Sequence, residues 1–104
     1  MKKNFEKVRL FSKATNIQGG EVIMTLQINS DEEKVDLLID GDIYEEHAEF
    51  LRDMSFSYAR RGIKKMDIQL NSTYYISLKG QQCLSIMRET LGRQGIQVAF
   101  KPNL

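Results

Sequence analysis

The sequence predicts an α/β domain, a mixed sheet of four to five strands with helices mainly on one face. Three observations predict it. Four separate segments alternate apolar with polar residues, two others repeat at 3.6 residues per turn, and they interleave as strand, strand, helix, strand, helix, strand. A face built of polar residues at every second position is expected to stay open to water or to a partner, because a sheet covered on both faces reads as continuous apolar runs.

The first element is the weakest. Val8 and Leu10 alternate with Lys7 and Arg9 over residues 5–11, which suits an edge strand, and Gly19-Gly20 suits the turn behind it. From Glu21 to Ile28 the pattern is clear: Val22, Met24, Leu26 and Ile28 share one side, and Thr25 and Gln27 the other. A polar turn over Asn29–Lys34 leads to Val35–Asp40, where Val35, Leu37 and Ile39 resume the alternation, so these two strands are expected to pair as a hairpin.

Asp40-Gly41-Asp42 breaks the strand, and Asp42 is the expected cap of a helix ending near Gly62. Tyr44, Ala48, Leu51, Ser55, Tyr58 and Ala59 form its apolar stripe; Glu45, Glu46, Glu49, Asp53 and Arg60 lie mainly outside it. Met66, Ile68 and Leu70 then alternate with Asp67 and Gln69 in a further strand. After a loop over Asn71–Ile76, a second helix is expected from Ser77 or Leu78 to about Arg93, with Gly80, Leu84, Met87 and Leu91 inward and Gly95 beyond its end. Ile96, Val98 and Phe100 alternate with Gln97, Ala99 and Lys101 in the last strand. Successive strand-helix-strand units imply parallel neighbours with both helices on one side.

A chain of 104 residues suits one domain, taken here as residues 1–104. Fifteen basic residues against fourteen acidic ones leave a formal charge of +1, so no overall field steers the molecule to nucleic acid or an anionic membrane. Cys83 is the single cysteine, which excludes an internal disulfide and a thiolate zinc cluster and points to a reducing compartment. The opening Met-Lys-Lys-Asn-Phe-Glu-Lys has no apolar stretch behind it and no segment is long enough to span a bilayer, so the cytoplasm is the expected location, without membrane insertion.

The stretch from Val35 to Lys101 resembles the STAS domain, the fold shared by anti-sigma factor antagonists and the cytoplasmic tails of sulphate transporters. The resemblance rests on Leu37-Leu38-Ile39-Asp40-Gly41-Asp42-Ile43 at a strand exit, Ala48 and Leu51 in the first helix, and Met66-Asp67-Ile68-Gln69-Leu70 in the next strand. It continues with Tyr75-Ile76-Ser77-Leu78-Lys79-Gly80 opening the second helix and Gly95-Ile96-Gln97-Val98 after it. Regulatory members of the family carry Asp-Ser-x-Gly in that loop, and a partner kinase phosphorylates the serine. Counting from Leu70 sets Ser77 at the aspartate, Leu78 at the serine and Gly80 at the glycine. Counting back from Gly95 sets Ser77 at the serine, with Ile76 and Lys79 in place of aspartate and glycine. Ser77 is thus a candidate phosphorylation site, since a phosphate there would meet free helix-start amides, and equally a simple helix cap, the reading that is favoured.

Catalytic and metal chemistry find little support. His47, the single histidine, stands among Glu45, Glu46 and Glu49 and is expected at the surface or boundary of the first helix; a metal site needs further convergent ligands. Cys83 flanks the second helix's stripe and is expected to be partly buried as a small hydrophobe. No Walker-type or dinucleotide-type glycine loop is present. Asp40 and Asp42 are explained by turn and cap, and Arg60, Arg61, Lys64 and Lys65 by a solvated helix end. Neither a cofactor nor a metal is expected, nucleic acid is disfavoured, and no nucleophile, base and orienting group can be assembled into an enzyme site.

What remains is apolar surface. Phe50 lies nearly opposite its helix's buried stripe and Ile86 nearly opposite Leu84 and Leu91, with Met54 and Phe56 at the margins. Burying such a side chain is worth about 1.5–3 kcal/mol, enough for each to anchor a partner. The expected function is a non-enzymatic regulatory module that docks an anti-sigma factor or related switch kinase through Phe50, Met54, Phe56, Ser77, Leu78, Lys79 and Ile86. Two alternatives stand beside it: an assembly subunit that homodimerises through its sheet or the edge at Val8 and Leu10, and a ligand or nucleotide binder using the strand ends near Asp40–Asp42 and Ser77–Gly80.

Overall fold

The computed structural model describes residues 4–13 and 21–102. Five strands and two helices follow in the order β1 (Asn4–Lys13), β2 (Glu21–Ser30), β3 (Lys34–Asp40), α1 (Glu45–Arg60), β4 (Lys65–Asn71), α2 (Leu78–Arg93) and β5 (Gln97–Lys101). The turn expected at Gly19-Gly20 lies outside the described residues.

The sheet runs β1-β2-β3-β4-β5, so spatial order repeats chain order. β1, β2 and β3 are antiparallel neighbours, whereas β3, β4 and β5 are parallel and joined through the two helices. The change of mode at β3 follows from connection length: a turn of three residues closes β2 onto β3, with Asp31 Oδ1 accepting the Glu33 and Lys34 amides at 2.8 Å, while parallel neighbours need a crossover helix. β1 is longer than the alternation of residues 5–11 suggests and pairs with β2 from Asn4–Ser30 to Lys13–Glu21.

Strand periodicity then decides which side is dry. Met24, Leu26 and Ile28 from β2, Val35, Leu37 and Ile39 from β3, and Met66 and Ile68 from β4 meet Ala48 and Leu51 of α1 and Leu84, Met87 and Leu91 of α2 in one core. Both helices therefore cover the same face, at about 1.5–3 kcal/mol for each large side chain withdrawn from water. Val8 and Leu10 of β1 pack against this core and remain half-buried at its rim.

The opposite face carries mostly polar residues along its middle, Gln27, Asp36 and Gln69 among them, with Leu38 between. Asp67, on the open side, is nonetheless buried, and the Lys34 ammonium lies 3.1 Å and the Lys101 ammonium 3.6 Å from its Oδ2. Burial alone would raise the Asp67 pKa; the Lys34 hydrogen bond and the charges of Lys101, Lys34 and Lys65 outweigh it and hold the carboxyl below its ordinary value.

Candidate functional site

Asp42, Ser77, Leu78 and Lys79, singled out above, lie where β3 and β4 end. β3 leaves the sheet through Gly41, whose φ of +108° suits a residue without a side chain. A Cβ there would stand 2.9 Å from the Ile23 carbonyl oxygen, so β2's backbone fixes this exit. The chain then forms a parallel bridge between Ile43 and Ile76: the Ile43 amide donates to the Tyr75 carbonyl at 3.0 Å, and the Ser77 amide to the Ile43 carbonyl at 2.9 Å.

Asp42 does not cap α1, as the sequence suggested. Its Oδ1 accepts the amides of Tyr74 and Tyr75, each at 3.0 Å, and so ties the β4–α2 loop to the end of β3. The cap position of α1 is Tyr44, whose amide donates to His47 Nδ1 at 3.0 Å. His47 is accordingly buried rather than at the surface: its ring closes the first turn of α1 and meets the Tyr44 ring edge-on at 6.1 Å. Among the described residues no group of three or more His, Cys, Asp or Glu is placed to hold a metal ion.

Ser77 is the cap of α2. Its Oγ accepts the Gly80 amide at 3.0 Å, and a Cβ on Gly80 would approach that oxygen to 2.9 Å, so glycine is what allows the hydroxyl to sit there. Beyond the cap, Leu78 is 70% exposed and Lys79 reaches back to within 4.0 Å of Glu45 on α1. In the loop before it, Tyr74 is 84% exposed and Tyr75 stacks obliquely on Tyr44, centroids 5.3 Å apart. The result is an apolar knuckle of Tyr74, Tyr75 and Leu78 standing on a frame of main-chain hydrogen bonds.

The remaining candidates lie elsewhere. Ile86, 62% exposed, lines a charged furrow between α1 and α2 with Glu45, Glu49, Arg52, Lys79 and Cys83. Cys83 is half-buried, and burial raises its pKa despite the Arg52 guanidinium beside it, so the thiol rather than the thiolate prevails at neutral pH. Phe56 lines a second hollow between the same two helices with Ala59, Arg60 and Thr90 and packs partly on the core. Phe50, 37% exposed, is about 160° round α1 from Arg52, so it faces away from the furrow. Met54 shares that outer flank and is half-buried against the core. Lys79 thus belongs both to the furrow and to the loop patch of Ser77, Leu78 and the tyrosines, whereas Phe56 and the pair Phe50 and Met54 lie apart from that patch.

Sequence reasoning missed Tyr74, Tyr75 and the true role of Asp42. A signal existed for the tyrosines: two adjacent aromatic residues in a loop, outside any strand or helix period.

No family model and no curated protein matches the sequence. Solved structures do match. A STAS domain antisigma-factor antagonist from Rhodobacter sphaeroides superposes on 93% of this chain and 85% of its own, with a TM-score of 0.52 at 14% identity. The fold is STAS-like. Mglu in its native form aligns with 72% of this chain at a TM-score of 0.60 and 17% identity, and Mglu in its L-glutamate binding form with 72% at 0.57 and 15%. This chain spans only 23% and 26% of those Mglu chains, so the matched part is a fraction of a larger protein. The antagonist match, in contrast, extends over nearly the whole of both partners.

Proposed function

We propose that this STAS-like chain is a non-enzymatic regulatory module that docks a partner protein through the Tyr74–Lys79 loop and the start of α2. The observation that carries the reading is the rigidly framed apolar knuckle: Tyr74 and Leu78 are 84% and 70% exposed, yet the loop beneath them is fixed by Asp42 and by the Ile43–Ile76 bridge. A preformed apolar anchor loses little freedom on docking, which favours it as a contact point. The partner class is an anti-sigma factor or related switch kinase, by analogy with the antagonist of similar fold and length. The cytoplasm is the compartment this role requires. Ser77 serves as the cap of α2 in this reading, and docking proceeds without its phosphorylation.

The test is affinity capture with the intact chain and with Leu78→Asp and Tyr74→Asp variants, followed by mass spectrometry. Recovery of an anti-sigma factor or ATP-binding switch kinase by the parent, with at least a tenfold loss in both variants, supports the proposal. Recovery of neither class, or equal recovery by parent and variants, overturns it.

A further inference from the structure

β1 presents an unused edge with an ordered side-chain code. Among the described residues it pairs with β2 alone, so its outer row of main-chain donors and acceptors faces outward along Asn4–Lys13. The register with β2 places Phe5, Lys7, Arg9 and Phe11 together on the open face of the sheet, opposite Asn29, Gln27, Thr25 and Ile23. All four are exposed, the two phenylalanines at 60% and 55%, and no ion pair reaches Lys7 or Arg9 among the described residues. On the helix side, Val8 and Leu10 are half-covered by the core, and Phe50 and Met54 occupy the outer flank of α1.

Cationic residues on an edge strand commonly serve to prevent pairing. That role accounts for Lys7 and Arg9 but not for the exposed Phe5 and Phe11 on either side of them, with Ile23 exposed across from Phe11. We propose that the β1 edge accepts an extended acidic segment of a partner protein as a sixth strand. The row Phe5, Lys7, Arg9, Phe11 reads the same from either end. It selects a strand whose open-face residues run apolar, acidic, acidic, apolar, in parallel or antiparallel orientation, and whose alternate residues opposite Val8 and Leu10 are apolar. A second copy of β1 is the wrong occupant: in the antiparallel register that sets Phe5 against Phe11, Lys7 meets Arg9 of the other copy twice. This surface is separate from the Tyr74–Lys79 loop, and the inference does not rest on that loop's role.

The experiment titrates the isotope-labelled chain with a capped peptide, Thr-Val-Ile-Glu-Val-Glu-Lys-Val-Thr, and with the same peptide carrying Lys in place of both Glu. The expected result is a set of amide shifts confined to β1 and β2, slowed hydrogen exchange on β1, and at least tenfold tighter binding of the acidic peptide. In the Lys7→Glu/Arg9→Glu variant the preference reverses; both positions are exposed, and an unchanged amide spectrum away from β1 verifies its fold. The inference is overturned if both peptides bind equally or not at all, or if the shifts fall on residues 74–79. It is overturned too if the free chain dimerises through β1, or if a single-stranded oligonucleotide produces the same β1 shifts as the acidic peptide.

Discussion

The Asp42 carboxylate and the Tyr75 amide stand 3.0 Å apart, so the loop carrying the apolar knuckle is tied to the end of β3 as well as to its own helix. Asp42→Ala removes the acceptor of two amides. We expect a loss of about 1 kcal/mol, since water can replace an exposed partner, and faster hydrogen exchange at Tyr74 and Tyr75. Unchanged exchange at those amides would refute the tether.

Ser55 lies in the centre of the buried face of α1, and among the described residues its Oγ has no hydrogen-bond partner. An unsatisfied buried hydroxyl costs about 1–3 kcal/mol, and alanine is the better helix former. Ser55→Ala should therefore raise stability by about 1 kcal/mol, whereas Leu51→Ala in the same stripe should lower it by about 2–5 kcal/mol. Denaturant titration of both variants decides; a destabilised Ser55→Ala would mean that the hydroxyl has a role the geometry does not contain.

These two stripe residues also show what the sequence could and could not convey. Its spacing from Ala48 and Leu51 puts Ser55 on the buried stripe, because helical period acts on position and is indifferent to polarity. Periodicity likewise supplied the strands from Glu21 onward, the helices and the one-sided cover. It misplaced His47, whose burial depends on a hydrogen bond to the Tyr44 amide, and did not reveal that Asp67 is buried beside Lys34 and Lys101, which arrive from neighbouring strands. Asp42 obeys a similar logic: a carboxylate before a helix can satisfy that helix or a loop, and amides more than thirty residues away leave no trace in local spacing.

Asp67 links stability to pH. Its folded pKa is lowered, so its contribution is fully present above the unfolded value of about 3.9 and is lost as pH falls through the folded value. Lys34 has the opposite sign: its pKa is raised chiefly by the Asp67 hydrogen bond, so its contribution is present below about 10.4 and is lost as pH rises through the folded value. Asp67→Asn should flatten both limbs of the melting temperature against pH. A variant whose acid limb matches the parent would show that the two lysines do not stabilise this carboxylate.

Gly41→Ala tests the strand exit. The left-handed backbone alone should cost about 1–3 kcal/mol, and contact with the Ile23 carbonyl adds to it. At Gly80 the same substitution should be nearly neutral in stability, because a gain of about 1 kcal/mol in helix propensity offsets the lost cap. Its signature is local: the Gly80 amide should exchange faster once the Ser77 hydroxyl is displaced. Two equal melting temperatures would contradict the distinction.

Because spatial order repeats chain order from β1 to β5, each strand finds its template in the one made just before it. No later strand has to be threaded between two that are already joined, and from β2 to β5 each closure is built on a single turn or a single helix. Such a sheet can zip up from one margin as the polypeptide emerges from the ribosome, with low loop-closure cost at every stage. β5 needs only β4 as its neighbour, so a chain interrupted before it would leave a shorter sheet rather than a hole in the middle of one.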